Sequence, residues 1–487
     1  MAPSRRLCLV VAAATFAAAA STKFEAVRGG LALAGVRSAI DALAAAYAPA
    51  LDVRRAAAEL IVGSNRSRAI LKGHLARAVS RNRFVAAFGG HSVCAGHGNY
   101  FNESYAAVAD AALRSGMASA KIDARADNLG MGGTGSVPFA WCAETMAGDV
   151  DVVGWDYNMV DGKKWRGAEV FARAAWSLPS RPALLFFLDS ARDPRRAMLE
   201  DYERADAGLA VFAAPAPSDF LKKLPQLRKW SARADAPHAV RDVAYDPPRG
   251  SGEALKRRKF NTPDGAPGRV PWHPGWRVNK LVGTLVAVWL LTALEDALVD
   301  RVAAPRAAAP PPLPPPSQPR CNDQTLLCDR ALYACATTYA PKAGLDLGDV
   351  AAGWRRILAA GDPSLAAERL GLGYRDRKWT LVGARGDGPL ELSLPAAELR
   401  DGELVLCSAT TGWRKPANFG DLRADAALTV YDKPDGRELA LGALRSVDHC
   451  FRTRVPTKAA LGDADRLKLA LRVTTDNEVY LSHVIWG

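Results

Sequence analysis

The chain is predicted to be an α/β protein, a parallel sheet with helices on both faces, followed by a smaller, mainly-β accessory region. Three observations carry that prediction. Apolar runs of strand length, Phe84 to Phe88, Asp149 to Trp155 and Pro182 to Asp189, alternate with stretches of helical periodicity, the pattern of parallel strands joined by crossover helices. A proline block from Pro310 to Pro316 then interrupts the chain. Beyond Lys378 the helical spacing gives way to short β-like runs joined by Gly- and Asp-rich turns such as Lys433-Pro434-Asp435-Gly436, which suggests an antiparallel sandwich or barrel.

The 487 residues are enough for two or three units, each with a sizeable core. Residues 1–20 read as a signal peptide or signal anchor: Arg5-Arg6 supply positive charge, Leu7 to Ala20 an apolar stretch, and Ala18-Ala19-Ala20-Ser21 a small-residue exit. The stretch is short for a membrane span. Membrane association is therefore expected only if it stays uncleaved, and the expected location is secreted or in the lumen of the secretory pathway. Of 8 cysteines, cleavage would remove Cys8 and leave an odd number, so a free thiol or intermolecular bond is expected if the others pair. Asn65-Arg66-Ser67 and Asn102-Glu103-Ser104 fit the glycosylation sequon, the second expected to be buried. The formal net charge is +13, but the basic residues are scattered apart from clusters such as Lys256-Arg257-Arg258-Lys259. Without a basic stripe interleaved with aromatics, no nucleic-acid partner is expected.

Residues 21–82 read as a helical N-terminal extension, with Ile40, Leu43, Ala44 and Tyr47, then Ile70, Leu71, Leu75 and Val79, at helical spacing. His74 lies in the second pattern and is expected to be a partly exposed helix residue. The chemistry starts after Phe84 to Phe88. Gly89-Gly90 allows a tight turn, and Ser92 opens a helix predicted to run on through Asn102 and Tyr105. A serine at a strand-to-helix turn stands at the sheet edge beside free backbone N–H groups, the position of a nucleophile. A helix cap is the plain structural alternative.

A second strand is predicted over Ala118 to Ile122. The glycine-rich run from Asp127 to Gly135 follows, which suits an oxyanion or phosphate but does not match the dinucleotide fingerprint. The third strand ends in Asp156-Tyr157-Asn158-Met159-Val160-Asp161, at the edge where open α/β sheets bind ligands. A helix over Ala197 to Ala205 precedes a fifth strand over Ala207 to Phe212. A polar loop, Asp242 to Arg269, delivers Val270-Pro271-Trp272-His273-Pro274-Gly275. The helix from Trp276 to Val302 has an apolar segment too soon interrupted, by Glu295-Asp296, to span a membrane.

In the order of these elements, residues 83–303 resemble the SGNH/GDSL hydrolase superfamily, and within it divergent secreted members of algae and fungi. The resemblance implies a three-layer, flavodoxin-like parallel sheet on which four dispersed blocks bring Ser, Gly, Asn and His together. Gly90-His91-Ser92 with Gly96 matches the first block, Gly133 the second, Asn158-Met159-Val160-Asp161 the third and His273-Pro274 the last. The family's usual Asp of the first block is His91 here, its triad Asp is Val270, and Val160 stands where the oxyanion Asn belongs. The resemblance implies Ser92 as nucleophile and His273 as base, with Gly133 and Asn158 as oxyanion donors. Asp156 and Asp264 are the candidate orienting acids. No cofactor is implied. A zinc site of His91, His97 and His273 is not expected, because the facing directions of the first two are not fixed by their spacing.

The implied activity is ester hydrolysis on O-acyl, chiefly O-acetyl, groups of carbohydrate or lipid. The alternatives are a glycan O-acyltransferase working by the same chemistry and a catalytically impaired glycan-binding protein. Residues 304–319 read as a Pro-rich linker and residues 320–487 as the Cys-containing accessory domain. Its Cys321, Cys328, Cys335, Cys407 and Cys450 lack a Cys-x-x-Cys pair and favour disulfides over zinc. Trp379, Trp413 and Trp486 are candidates for stacking on sugar rings if exposed, core residues otherwise.

Overall fold

The computed structural model describes residues 27–96, 99, 101–161, 165–188, 193–205, 208–224, 226–227, 273–304, 333–337, 353–358, 379–408, 421–430, 438–443 and 450–487. The signal segment, the proline block, the loop 242–269 before His273, including Asp264, and His97, Cys321, Cys328 and Trp413 lie outside them.

Six strands form the central sheet: β1 (Val62–Gly63), β2 (Arg83–Gly90), β3 (Asp123–Asn128), β4 (Val152–Asp156), β5 (Ala183–Leu188) and β6 (Val211–Pro215), in the order β1-β6-β5-β4-β2-β3. β2 to β6 pair in parallel, and β1 joins β6 antiparallel at the edge. Counted in sequence, the parallel strands lie in the order 2-1-3-4-5. The winding therefore reverses between β2 and β4, and the crevice beyond the carboxyl ends of those two strands is where such sheets hold ligands.

Both faces are covered. Phe84, Ala86 and Phe88 of β2 with Leu185 and Phe187 of β5 pack into a core shared with α1 (27–45), α2 (Val53–Leu60), α3 (Asn65–Arg81), α5 (Tyr105–Met117) and α12 (Trp276–Ala303). Val85, Ala87, Trp155, Leu184 and Phe186, one residue out of step, enter the opposite core with α6 (Ser136–Trp141), α7 (Ala143–Met146), α9 (Trp165–Ser177) and α10 (Pro194–Ala205). Side chains alternate across a strand, so a strand covered on both sides reads as an unbroken apolar run. The short helices α4 (Ser92–Ala95), α8 (Asn158–Asp161) and α11 (Phe220–Lys223) follow β2, β4 and β6.

α12 is long and apolar enough to cross a membrane by length and composition, yet its apolar 18-residue stretch is 72% buried within this fold. It packs on α2, α3 and α5. Gly283 lets it approach α5 closely, since a Cβ there would lie 2.5 Å from the Tyr105 carbonyl oxygen.

Local details depart from expectation. Ala118 to Ala120 is a 3₁₀ turn ended by Lys121 at φ 58°, and the strand is instead the polar Asp123–Asn128. Because β3 is the sheet's edge, Asp123 and Arg125 face solvent while Ala124 and Ala126 are buried. The helix opened by Ser92 stops after one turn at Gly96, φ 87°, and α5 begins afresh behind the Ser104 cap. The fifth parallel strand starts at Val211 rather than Ala207. His74 is 1% exposed rather than partly exposed, because α3 turns it onto the end of the sheet beside Asp151. Asn102 of the second sequon is exposed, not buried.

The C-terminal part consists of antiparallel sheets. Strands Leu390–Pro395, Arg466–Val473, Ala426–Val430 and Glu438–Leu439 form one, and Gly442–Ala443, Cys450–Arg454, Glu403–Cys407, His483–Trp486 and Ala334–Thr337 another. Val479–Leu481, Trp379–Gly383 and Arg355–Leu358 form a third. Their leucine-rich core includes Leu392, Leu404, Leu428 and Leu469. This part docks on the α6–α9 layer through Tyr333, Cys335, Val405 and Ile485. The Cys142–Cys335 disulfide and a hydrogen bond from Thr145 Oγ1 to the Cys335 carbonyl (3.1 Å) tie the two together. A second disulfide joins Cys407 and Cys450, which face each other in the ladder. Such bonds persist in oxidising compartments. Trp486 is buried and its indole donates to Glu398 (2.8 Å), so it is a packing residue rather than an exposed platform.

Candidate active site

Three constraints set Ser92 at the end of β2. Gly90 brings β2 close to β4, where a Cβ would clash with Cys94 and lie 2.8 Å from the Asp156 carbonyl oxygen. The His91 N–H donates to that same carbonyl (2.9 Å). The loop after β3 then closes over α4: the Met131 N–H donates to Gly90 O (2.8 Å), and a Cβ on Gly130 would fall 2.5 Å from Ala95 N. Asn128 seals this corner. Its amide donates to Cys94 O (2.9 Å) and Ser104 Oγ (3.1 Å) and accepts from the Gly130 N–H (2.9 Å).

His273 arrives from 181 residues away, and its Nε2 lies 2.6 Å from Ser92 Oγ. With Nε2 unprotonated, the serine hydroxyl donates to it, as a nucleophile does to its base. The Pro274 carbonyl is fixed by the amides of Asn99 (3.0 Å) and Asn279 (3.5 Å), which anchors the turn into α12. Both partners are sheltered, Ser92 at 9% and His273 at 3% exposure.

Ser92 touches a second imidazole. His91 Nδ1 is 3.2 Å from Ser92 Oγ and also accepts the Val93 N–H (3.3 Å), capping α4. An accepting Nδ1 carries a lone pair, which leaves the proton of the neutral ring on Nε2. That nitrogen lies 3.8 Å from Asp156 Oδ1, and Tyr105 OH donates to Asp156 Oδ2 (3.1 Å). Burial, then the nearby Asp156 charge, pushes the Tyr105 phenol well above its usual range, so it serves as a permanent donor. Burial likewise raises the Cys94 thiol beneath the serine and keeps it protonated.

No protein-family profile and no curated protein matches this chain. Among solved structures, the chain is similar to two crystal structures of a two-domain esterase (CEX) active on acetylated mannans, one of them co-crystallized with mannopentaose. The complex matches with a TM-score of 0.38 at 13% identity, covering 84% of this chain and 93% of the other. The second matches with a TM-score of 0.40 at 14% identity, covering 85% and 94%.

The loop of Gly133, at φ 68°, joins β3 to α6 and lies against α4 at one end and α8 at the other. At its far end a Cβ on Gly135 would lie 2.9 Å from Asp161 Oδ1. Asp161 caps α6 by accepting from the Ser136 N–H (3.0 Å) and hydroxyl, and burial raises its carboxyl to about 6. Asn158 opens α8 directly after β4 and donates its amide to the Phe187 carbonyl of β5. Met159 (45%) and Val160 (42%) next to it are exposed. Asp156 Oδ1 lies 3.8 Å from His91 Nε2, and its Oδ2 accepts from Tyr105 OH (3.1 Å). Among the described residues no group of three or more His, Cys, Asp or Glu side chains is arranged to hold a metal ion.

The supporting residues Asn99, Tyr105 and Asn128 were not singled out from sequence. Asn99 and Tyr105 fall inside the stretch read as one helix from Ser92, which in fact breaks at Gly96, and Asn128 lies on a connection without periodicity. Only the Asn128-x-Gly130 pair, an Asn accepting from the N–H two residues on, carries a local signal.

Proposed function

We propose that this protein is a secretory-pathway serine esterase of the SGNH type, removing O-acyl, chiefly O-acetyl, groups from carbohydrate. The observation that carries the reading is the 2.6 Å approach of Ser92 Oγ to His273 Nε2 at the switch point of a 2-1-3-4-5 parallel sheet. Residues 83–303 form the hydrolase domain and residues 320–487 an accessory domain behind a signal segment and a Pro-rich linker.

In this reading Ser92 Oγ attacks the ester carbonyl as His273 takes its proton, and the imidazolium returns that proton to the leaving alcohol. Water then repeats the sequence on the acyl-enzyme. The oxyanion is held by backbone N–H groups at Ser92 and Gly133 and by the second N–H of Asn158, whose other N–H is committed to Phe187. Carbohydrate is the acceptor class of this reading, and the substrate comparison below sets it against lipid.

The decisive experiment is hydrolysis of p-nitrophenyl acetate by wild type and Ser92→Ala. The variant is expected to lose at least about 10³-fold in kcat/KM. Equal rates would remove Ser92 from the mechanism. Acetate release from acetylated oligosaccharides, set against an acetylated lipid, then assigns the substrate class.

A further inference from the structure

Ser92 lies between two imidazoles, and only one of them has been given a task. We propose that His91, backed by Asp156, is a second catalytic base for Ser92, an inference that rests on the esterase reading. His91 Nδ1 is in hydrogen-bond reach of Ser92 Oγ at 3.2 Å, and Asp156 Oδ1 lies 3.8 Å from His91 Nε2, close enough for its charge to favour the imidazolium without a direct hydrogen bond. The orientation is fixed from both sides. Val93 N–H holds the Nδ1 lone pair at the head of α4, and Asp156 is itself steadied by Tyr105.

The step balances as follows. As the Ser92 Oγ–carbon bond forms, the Oγ–H bond breaks and its proton passes to Nδ1. The resulting imidazolium keeps its Nε2–H toward the Asp156 carboxylate, which stabilises the charge. Expulsion of the alcohol then takes the Nδ1 proton to the leaving oxygen. Protonation also ends the lone pair's hold on the Val93 N–H. The backbone donor next to the nucleophile is therefore released as negative charge develops, where the residue after a nucleophilic serine commonly contributes to the oxyanion hole. This offsets the absence of a donor at Val160.

The plain structural role of His91 is to cap α4, and the test separates the two. Asn at this position keeps an acceptor for the Val93 N–H and is a good N-cap, but it takes no proton. Labelling of Ser92 by diisopropyl fluorophosphate, followed by intact mass, reads nucleophilicity without assuming a natural substrate. His273→Ala is expected to slow labelling by about 10²-fold while staying at least about 10-fold faster than His273→Ala/His91→Asn, which falls to the Ser92→Ala background. His273→Gln repeats the measurement in case the alanine variant does not fold. Equal rates for the single and double variants, or no labelling once His273 is replaced, overturn the second base while leaving the esterase reading intact. If wild type itself is not labelled at Ser92, the esterase reading fails and this inference falls with it.

Discussion

A histidine buried as the neutral ring makes a fold sensitive to acid. His483 is fully buried and its pKa is lowered to about 3 by desolvation. His74 is lowered to about 3 by burial and by Arg77 and Arg81. Between the unfolded value near 6.5 and about 3, the unfolded chain binds a proton that the native state refuses. Stability from these groups is thus complete above about pH 6.5 and is lost as pH falls toward 3. His483→Gln is expected to lose less Tm between pH 7 and pH 4 than wild type, and parallel curves in thermal scans would sink that account. The periodicity of α3 indicated that His74 lies on a helix but not which face meets the sheet. Ser92 and His273 were legible because Gly89-Gly90 and His273-Pro274 break the pattern around them. Asn99 was not, because the break after Ala95 was read as continuous helix, and Asn128 was not, since a lone polar residue in a loop looks the same whether it braces a site or meets water.

Helices and strands show the same division. β2, β4 and β5 were readable as apolar runs because both of their faces are covered. β3, Asp-Ala-Arg-Ala-Asp-Asn, sits at the edge, and its charges hid it while the more apolar turn before it was taken for the strand. α12 presents apolar residues on nearly every side because α2, α3, α5 and the sheet surround it. Its seam with α5 is closed by small residues: a Cβ at Gly283 would meet the Tyr105 carbonyl oxygen and Val108, and one at Gly116 would meet Leu291. Gly283→Val is expected to cost about 1–3 kcal/mol by overpacking. Because Tyr105 begins α5 and steadies Asp156, the same change should lower kcat more than it raises KM in the proposed p-nitrophenyl acetate assay. A variant with wild-type Tm and kcat would show that the seam yields without consequence.

At the scale of the whole molecule, the alternation of strands and helices and its replacement by short β runs were visible in sequence. The pairing of Cys142 with Cys335 was not, because connectivity does not follow from cysteine spacing. That bond joins the α/β part to the antiparallel part across residues 305–332. Protease cleavage within that stretch is therefore expected to leave one species on a denaturing gel without reductant and two with it; two species in both lanes would mean the bond does not form. Replacing both cysteines by alanine should destabilise the protein by about 2–5 kcal/mol, read as a lower Tm. The order in which the site is assembled has its own result. A chain emerging from the ribosome exposes β2, α4 and every strand of the central sheet before residue 273 appears, so α12 is the last of the elements around Ser92 to become available. The pairing of Ser92 with His273 would then come last, and a product terminated earlier would keep its serine with His91 alone for company.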